Sequence, residues 1–189
     1  ELLFIMHPFD ILNLDNGARL IFTPCPGTKE ASLPEALKTL QAAGADAVVT
    51  LMPSAELAQF QADAMPAECA TLGLAWFHLP VEDDCAPEAP FSQAFASHKA
   101  DLLARLAAGQ TLAIHCRGGS GRTGLMAAIL LASMLLMWWG VTRGLKPLES
   151  LRQELSQRPP GDDSPVAQGR QVRELAPLVQ TINHLLIFK

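Results

Sequence analysis

A ten-residue segment, His115 to Gly124, constrains the fold more than any other part of the sequence. It reads His-Cys-Arg-Gly-Gly-Ser-Gly-Arg-Thr-Gly, it follows the apolar run Thr111 to His115, and a long apolar run starts at Thr123. A short apolar run is typical of a buried strand, whereas glycines followed by a long apolar run indicate a tight loop and then a helix. The segment therefore predicts a strand, a glycine-rich loop and a helix in immediate succession.

The predicted loop contains residue types that suit chemistry on a phosphate ester. Cys116 would lie beside a helix N-terminus, an arginine and backbone N–H groups, which together favour the thiolate over the thiol. Arg122 would bind two phosphate oxygens with its planar guanidinium, and the Thr123 hydroxyl would donate to the sulfur when the thiolate leaves. We therefore expect Cys116 to be a nucleophile and Arg122 a catalytic residue, with Thr123 in a supporting role.

The residues between the cysteine and the arginine are expected to bind the phosphate itself. Glycines allow a backbone path with positive φ that turns successive N–H groups inward around a dianion. The predicted phosphate-binding set is Arg117, Gly118, Gly119, Ser120, Gly121 and Arg122.

Short apolar runs elsewhere in the chain alternate with helical patterns. Ser32 and Glu35 resemble a capping box at the start of one helix, which Gly44 would end, and the spacing from Phe91 to Leu106 predicts another helix. Strands that alternate with helices predict an α/β fold with a mostly parallel central sheet, here of about four strands flanked by helices. The predicted strands are Ala18 to Thr23, Asp46 to Leu51, Leu74 to Leu79 and Thr111 to His115.

Charge and cysteine content exclude several classes of protein. The formal net charge of -5 gives no basic surface, so we expect no nucleic-acid partner. The four cysteines form no Cys-x-x-Cys pair, which argues against structural zinc and against a disulfide framework. The first residues lack the features of a secretory signal. We therefore expect no metal site and a reducing, cytoplasmic location.

The pattern His-Cys-x5-Arg-Thr-Gly resembles the active-site loop of the cysteine-dependent protein tyrosine and dual-specificity phosphatase superfamily. Within it, the chain is most similar to the cyclin-dependent kinase inhibitor 3-like, or kinase-associated, phosphatases. Three segments carry that similarity, and the resemblance covers about residues 8–136. The segments are Phe22 to Thr28, Ala42 to Leu51 and Trp76 to Asp84.

The resemblance implies an enzyme, a phosphoric monoester hydrolase that forms a phosphocysteine intermediate and needs no cofactor. It also implies that His115 fixes the loop without exchanging protons with substrate. Phosphoinositide phosphatases of the superfamily tend to have two lysines in this loop, whereas here the segment between Cys116 and Arg122 has one basic residue, Arg117. A phosphorylated protein is therefore the expected substrate, with tyrosine-specific and dual-specificity activity both left open.

The same resemblance implies a general acid on a loop beside the sheet. One aspartate of the family protonates the leaving oxygen and later activates water. Glu82, Asp83 and Asp84 follow the predicted strand that ends at Leu79, and the Pro-x-x-Asp pattern that begins at Pro80 selects Asp83. Asp84 is the reserve candidate, and a solvated acidic turn is the alternative interpretation.

The C-terminal part departs from the phosphatase pattern. Residues 137–189 resemble the HAMP linker region of a bacterial sensor histidine kinase, which predicts two domains, a phosphatase at 8–136 and a HAMP-like helical tail at 137–189. The uncharged run Thr123 to Thr142 is long enough to span a bilayer. If its first turns pack in the phosphatase core, however, too few apolar residues remain to cross one, and we favour this second interpretation.

Two functions follow from these patterns. The first is a phosphoprotein phosphatase that uses Cys116, Arg122 and Asp83. The alternative is a catalytically incomplete, membrane-linked signalling or dimerisation module. In either case the tail, 137–189, is a candidate for membrane association or dimerisation, because Val172 to Leu186 has the spacing of a short coiled-coil seam.

Overall fold

The centre of the fold is a five-stranded sheet in the order β1-β2-β5-β3-β4. The computed structural model describes residues 7–29 and 31–156. All neighbouring strands are parallel except β1, which pairs antiparallel with β2. The predicted α/β fold with a mostly parallel sheet is confirmed, and β1 is an additional edge strand. The strands are β1 Asp10–Asn13, β2 Arg19–Thr23, β3 Ala47–Thr50, β4 Ala75–His78 and β5 Thr111–His115.

Helices cover both faces of this sheet. Successive strand residues point to opposite faces, so Leu112 and Ile114 of β5 pack in one core and Ala113 packs in the other. The first core includes residues of α4 and α5, and the second includes residues of α1, α2 and α3. The helices are α1 Leu33–Ala42, α2 Ser54–Gln59, α3 Met65–Thr71, α4 Ala89–Ala107 and α5 Gly121–Ser156.

The predicted start and end of α1 are both present. The Glu35 carboxylate accepts hydrogen bonds from the backbone N–H and the hydroxyl of Ser32, at 3.1 and 2.7 Å. Gly44, two residues after the helix, has φ +92°, a conformation that glycine adopts without steric cost. Leu37 and Leu40 on this helix are fully buried.

The four parallel strands end at nearly the same level. Thr23 and Thr50 both pair in register with His115, and Thr50 pairs with His78. The loops that follow β2, β3, β4 and β5 therefore start along one edge of the sheet. Ligand sites of parallel α/β folds lie at this carboxyl edge.

Helix α5 begins directly after the glycine-rich loop and continues as one helix to Ser156. Met126, Ala127 and Leu130 lie on one face of its first turns and are buried in the first core. The beginning of the apolar run is thus part of the core of the α/β fold.

The chain divides into two compact units, one that ends at Met134 and one that begins at Leu135. By length and composition alone, one described segment could cross a membrane: Gly121–Arg143, with 23 residues and a mean hydropathy of 2.0. The seam predicted over Val172 to Leu186 lies outside the described residues.

Candidate active site

The loop between β5 and α5 surrounds the sulfur of Cys116. The side chain is buried, directly after the last residue of β5. The backbone N–H of Gly119 and the hydroxyl of Thr123 each donate a hydrogen bond to Sγ at 3.2 Å. Strand, loop and helix occur in the predicted order, and two of the predicted site residues contact the cysteine.

The surroundings of Cys116 favour its thiolate form. Burial by itself raises the pKa of the thiol, because it disfavours charge. The hydroxyl of Thr123 and the backbone N–H groups of Gly119, Thr123 and Gly118 act in the opposite direction, and their sum holds the pKa of Cys116 below the ordinary thiol value. A larger fraction of this cysteine is therefore ionised at neutral pH, as a nucleophile requires.

The other buried cysteines have the opposite character. Burial raises the pKa of Cys25 and of Cys69 to about 12, so both remain thiols at neutral pH. Cys85 is exposed, and all four cysteines are free. Among the buried cysteines, Cys116 is the one placed to react as a thiolate.

The backbone conformation and packing of the loop require glycine at position 119. Its φ is +81°, and a Cβ at this position would lie 2.6 Å from the nitrogen of Pro24 and 2.6 Å from the carbonyl carbon of Thr23. Gly118 and Gly121 have ordinary φ values, and a Cβ added at either would meet no heavy atom within 4 Å, so the expectation of positive φ holds for Gly119 alone. The loop after β2 is thus packed directly against the loop after β5.

The Arg122 guanidinium is fixed by three acceptors. Nη1 donates to Glu56 Oε2 at 2.6 Å and to the carbonyl oxygen of Val81 at 2.9 Å. Nη2 donates to Glu56 Oε1 at 2.9 Å and lies 3.2 Å from Asp83 Oδ1. The side chain is 6% exposed, and its hydrogen bonds with Glu56 raise the pKa of Arg122 further above its ordinary value. The arginine is therefore oriented before any phosphate binds.

Glu56 is a site residue that the sequence patterns did not reveal. It lies in α2, a six-residue helix that was not predicted, and its carboxylate is 16% exposed. The signal that could have identified it is position: α2 follows β3, whose carboxyl end lies at the same edge of the sheet as Cys116. A carboxylate soon after such a strand end is a candidate partner for a buried arginine.

The two candidate acids lie where the loop after β4 reaches the cavity. Asp83 forms the ion pair with Arg122, and its side chain is 52% exposed. Asp84 lines the same cavity and has φ +56°, which is uncommon for a residue other than glycine. The structure thus brings both predicted acids to the site, and Asp83 is the one that contacts Arg122.

His115 is held beneath the loop by a polar network. Its Nε2 lies 2.7 Å from Thr50 Oγ1, and the indole N–H of Trp76 donates to that same oxygen at 2.9 Å. Burial lowers the pKa of His115 to about 3, so the ring is neutral at physiological pH. Thr50 and Trp76, which the sequence patterns did not single out, link β3 and β4 to β5, the strand that precedes Cys116.

These side chains surround a cavity of about 470 Å³ at the carboxyl edge of the sheet. All members of the predicted phosphate-binding set line it except Gly119, whose N–H is directed at the sulfur. Within residues 7–29 and 31–156, no group of three or more His, Cys, Asp and Glu side chains is placed to hold a metal ion. The lining residues are Asp83, Asp84, Cys85, Cys116, Arg117, Gly118, Ser120, Gly121, Arg122 and Leu125.

Solved structures share this fold. The chain is 20% identical to kinase-associated phosphatase with its catalytic cysteine replaced by serine, with a TM-score of 0.58 over 69% of this chain and 76% of that one. It is 21% identical to Tk-PTP in its active form, with a TM-score of 0.45 over 92% of this chain and 96% of that one. The first match supports the phosphatase fold, whereas the second is too weak in geometry to add to it. No curated protein matches the chain.

Two families match separate parts of the sequence. Residues 145–187 match the HAMP domain of PhoQ-like sensor proteins, which confirms the predicted resemblance of the tail. Residues 25–138, more than half of the chain, match the DSP-PTPase phosphatases of polymorphic toxin systems. The protein therefore belongs to this DSP-PTPase family, and it is a cysteine-dependent phosphatase.

Proposed function

We propose that the protein dephosphorylates phosphotyrosine, phosphoserine or phosphothreonine in protein substrates through a phosphocysteine intermediate. One observation carries the proposal: the sulfur of Cys116, with two donors at 3.2 Å, shares a cavity with a pre-oriented Arg122 and with Asp83. The reaction needs a nucleophile, a group that binds the phosphate and a general acid, and Cys116, Arg122 and Asp83 are proposed for these three roles.

In the first step the Cys116 thiolate attacks phosphorus. A sulfur–phosphorus bond forms while the ester oxygen–phosphorus bond breaks, and Asp83 in its acid form gives its proton to the leaving oxygen. Arg122 and the loop N–H groups stabilise the charge on the three equatorial oxygens. The dephosphorylated side chain leaves, and the phosphoryl group remains on the sulfur.

In the second step water attacks the phosphocysteine. Asp83, now a carboxylate, accepts a proton from the water as the new oxygen–phosphorus bond forms. The sulfur–phosphorus bond breaks, and the thiolate is regenerated with the Thr123 hydroxyl donating to it. The products are inorganic phosphate and the free hydroxyl of the substrate. The neutral, buried His115 takes no part in proton transfer and acts as a positioning residue beneath the loop.

Hydrolysis of para-nitrophenyl phosphate tests the proposal. The wild-type protein should release nitrophenol, and Cys116→Ser should not, because the serine hydroxyl is a far weaker nucleophile than the thiolate. Acid quenching during turnover should trap one phosphoryl group on Cys116, detectable by mass spectrometry of the peptide. A folded wild-type protein without activity, or a Cys116→Ser variant with wild-type activity, would contradict the mechanism.

We further propose that residues 137–189 form a helical signalling or dimerisation tail attached to the phosphatase domain, 8–136. The match of residues 145–187 to a HAMP domain supports this assignment, as does the continuous helix through Ser156. Sedimentation of the full chain is the test: a dimer should form and should dissociate in the variant Val179→Asp with Ile182→Asp. A wild-type monomer at all concentrations would refute dimerisation through the tail.

The cytoplasmic location remains part of the proposal. A thiolate with a lowered pKa is oxidised readily, and the four free cysteines suit a reducing compartment. Fractionation of cells that express the full chain should recover the phosphatase activity in the cytoplasm. Recovery in the membrane fraction would instead favour association through the exposed residues Leu135 to Val141 of α5.

A further inference from the structure

Arg117 is a cation of the cavity wall that no carboxylate of the described side chains neutralises. Among the residues whose side chains the structure describes, the ion pairs involve Arg105 and Arg122, and none involves Arg117. Arg117 lines the cavity next to Cys116, is exposed, and has its carbonyl oxygen fixed by the N–H of Cys25 at 3.2 Å. Its charge is therefore available to a ligand, from an anchored position in the loop.

An aromatic ring holds the Arg117 side chain in place. The guanidinium carbon lies 5.1 Å from the centroid of the Phe60 ring, within the range of a cation–π interaction. A cation–π contact uses none of the guanidinium N–H donors, and no hydrogen bond from this side chain is present among the described residues, so the donors can bind an anion. Phe60 itself is partly buried against the second core, and its N–H donates to the carbonyl oxygen of Glu56.

The short helix α2 and the residue after it thus support both arginines of the loop. Glu56 orients Arg122, which contacts the phosphate in the proposed mechanism, and Phe60 orients Arg117 beside it. Asp83 and Asp84 line the same cavity, and Asp83 pairs with Arg122 rather than with Arg117. The cavity therefore presents both positive and negative charge to a substrate.

We propose that Arg117 forms a second anion subsite, and that the preferred substrates are phosphorylated peptides with an acidic or second phosphorylated residue next to the target. This inference rests on the proposed phosphoprotein phosphatase activity. A carboxylate in the substrate would pair with Arg117, whereas Asp83 and Asp84 would repel a carboxylate placed against them. Arg117 is thus a specificity-determining residue, and Phe60 is the positioning residue that acts through it.

The test compares kcat/KM for phosphotyrosine and phosphothreonine peptides that differ only in one flanking residue, Glu, Ala or Lys, placed before or after the target. The wild-type protein should prefer Glu over Ala about three- to fivefold at one of the two positions, the size expected for a partly exposed ion pair. At that same position, the peptide with Lys should have the lowest kcat/KM. Arg117→Ala should abolish the preference, and Phe60→Leu should weaken it.

Phe95→Leu is the matched control, because Phe95 also has a cation near its ring, Lys99 at 6.0 Å, but lies on α4 and does not line the cavity. It should keep the full preference. Equal rates for the Glu and Ala peptides in the wild type would overturn the subsite, as would an equal loss of preference in Phe60→Leu and Phe95→Leu.

Para-nitrophenyl phosphate separates failure of the subsite from failure of the proposed function. Hydrolysis of it without any peptide preference rejects the subsite alone, whereas no hydrolysis by folded wild-type protein rejects both. A short-chain phosphoinositide bisphosphate is the last substrate. If its kcat/KM exceeds that of every peptide, the second anion is a lipid headgroup and the peptide assignment is wrong.

Discussion

Asp83 and Arg122 form an ion pair in which Oδ1 of the carboxylate lies 3.2 Å from Nη2 of the guanidinium. The same Nη2 also donates to Glu56, and Nη1 is occupied by Glu56 and Val81. A phosphate that binds Arg122 through Nη2 must therefore displace Asp83. In the proposed mechanism this exchange releases the Asp83 carboxylate, which takes up a proton from solvent and then acts as the general acid.

Asp83→Ala should consequently have two opposite effects. Turnover of a phosphotyrosine peptide should fall about 10²- to 10⁴-fold, because the leaving oxygen loses its proton donor. Inorganic phosphate or vanadate should inhibit about two- to fivefold more tightly, because the Asp83 carboxylate no longer competes with the inhibitor for Arg122. Steady-state kinetics and inhibition constants measure the two effects on one preparation.

Asp84→Ala is the control for this pair of effects, since Asp84 lines the cavity but has no ion pair with Arg122. It should retain most of the turnover and the wild-type inhibition constant. If Asp84→Ala loses turnover and Asp83→Ala does not, the general acid is Asp84.

Glu56→Gln should impair the site without altering the nucleophile. The substitution leaves the buried Arg122 with a neutral partner. We therefore expect the free energy of unfolding, measured by urea denaturation, to fall by about 2 kcal/mol. kcat/KM should fall because the guanidinium is less well oriented, while the rate at which iodoacetamide alkylates Cys116 should stay the same. Glu68→Gln on α3 is the matched control, as Glu68 contacts neither arginine in the described side chains, and it should change neither quantity appreciably. Wild-type kcat/KM in Glu56→Gln would rule out the orienting role.

The hydroxyl of Thr123 should set the pH at which Cys116 becomes reactive. Thr123 is fully buried and donates to the sulfur, so Thr123→Val removes a donor with little change in shape. The apparent pKa from the pH dependence of Cys116 alkylation should rise in Thr123→Val and stay near wild type in Thr123→Ser. The measurement uses a Cys85→Ser background, because Cys85 is exposed. An unchanged apparent pKa in Thr123→Val would remove the hydroxyl from the mechanism.

The same pKa shift predicts the direction of a stability change. The pKa of Cys116 is lower in the folded protein than in the unfolded chain. Between these two values the unfolded chain binds more protons, so the contribution of the thiolate to stability is fully present above the unfolded value. It is lost as pH falls through the folded value. Comparison of wild type with Cys116→Ser by urea unfolding over this pH range isolates the contribution.

Gly119→Ala should disrupt the loop, whereas Gly118→Ala should be tolerated. Alanine at 119 combines an unfavourable positive φ with a Cβ 2.6 Å from the backbone of Thr23 and Pro24, so a loss of about 1 to 3 kcal/mol in stability is expected. Activity should fall as the N–H that donates to Sγ moves. Alanine at position 118 keeps the backbone N–H, and its Cβ would meet no heavy atom within 4 Å. Thermal unfolding and para-nitrophenyl phosphate hydrolysis measure both variants, and equal behaviour would contradict the packing argument.

The strand, loop and helix around Cys116 could be predicted because each leaves a local signature. β5 is apolar throughout most of its length, the loop is rich in glycine, and α5 starts with a long apolar run. Edge strand β1 left no such signature: all four of its residues are exposed, so no buried face imposes a pattern. The helices α2 and α3 have six and seven residues, too few for a clear 3.6-residue period.

Contacts between distant residues account for the part of the site that was missed. Glu56 and Arg122 are 66 positions apart, and Thr50 and His115 are 65 apart, so no spacing rule relates them. They meet because β3 lies beside β5 in the sheet, and strand order is a property of the folded chain. The motif identified Arg122, but its hydrogen-bond partners Glu56 and Val81 could be identified only from the folded structure.

The continuity of α5 has a consequence for reading membrane topology from sequence. The segment Gly121–Arg143 passes a hydropathy test for a span, yet Met126, Ala127 and Leu130 within it are buried in the core against the sheet. To enter a bilayer over its full length, this segment would have to withdraw its first turns, with Arg122, from the core of the fold. A hydropathy profile therefore counts as one apolar element a helix whose first residues, Gly121, Arg122 and Leu125, line the cavity around Cys116.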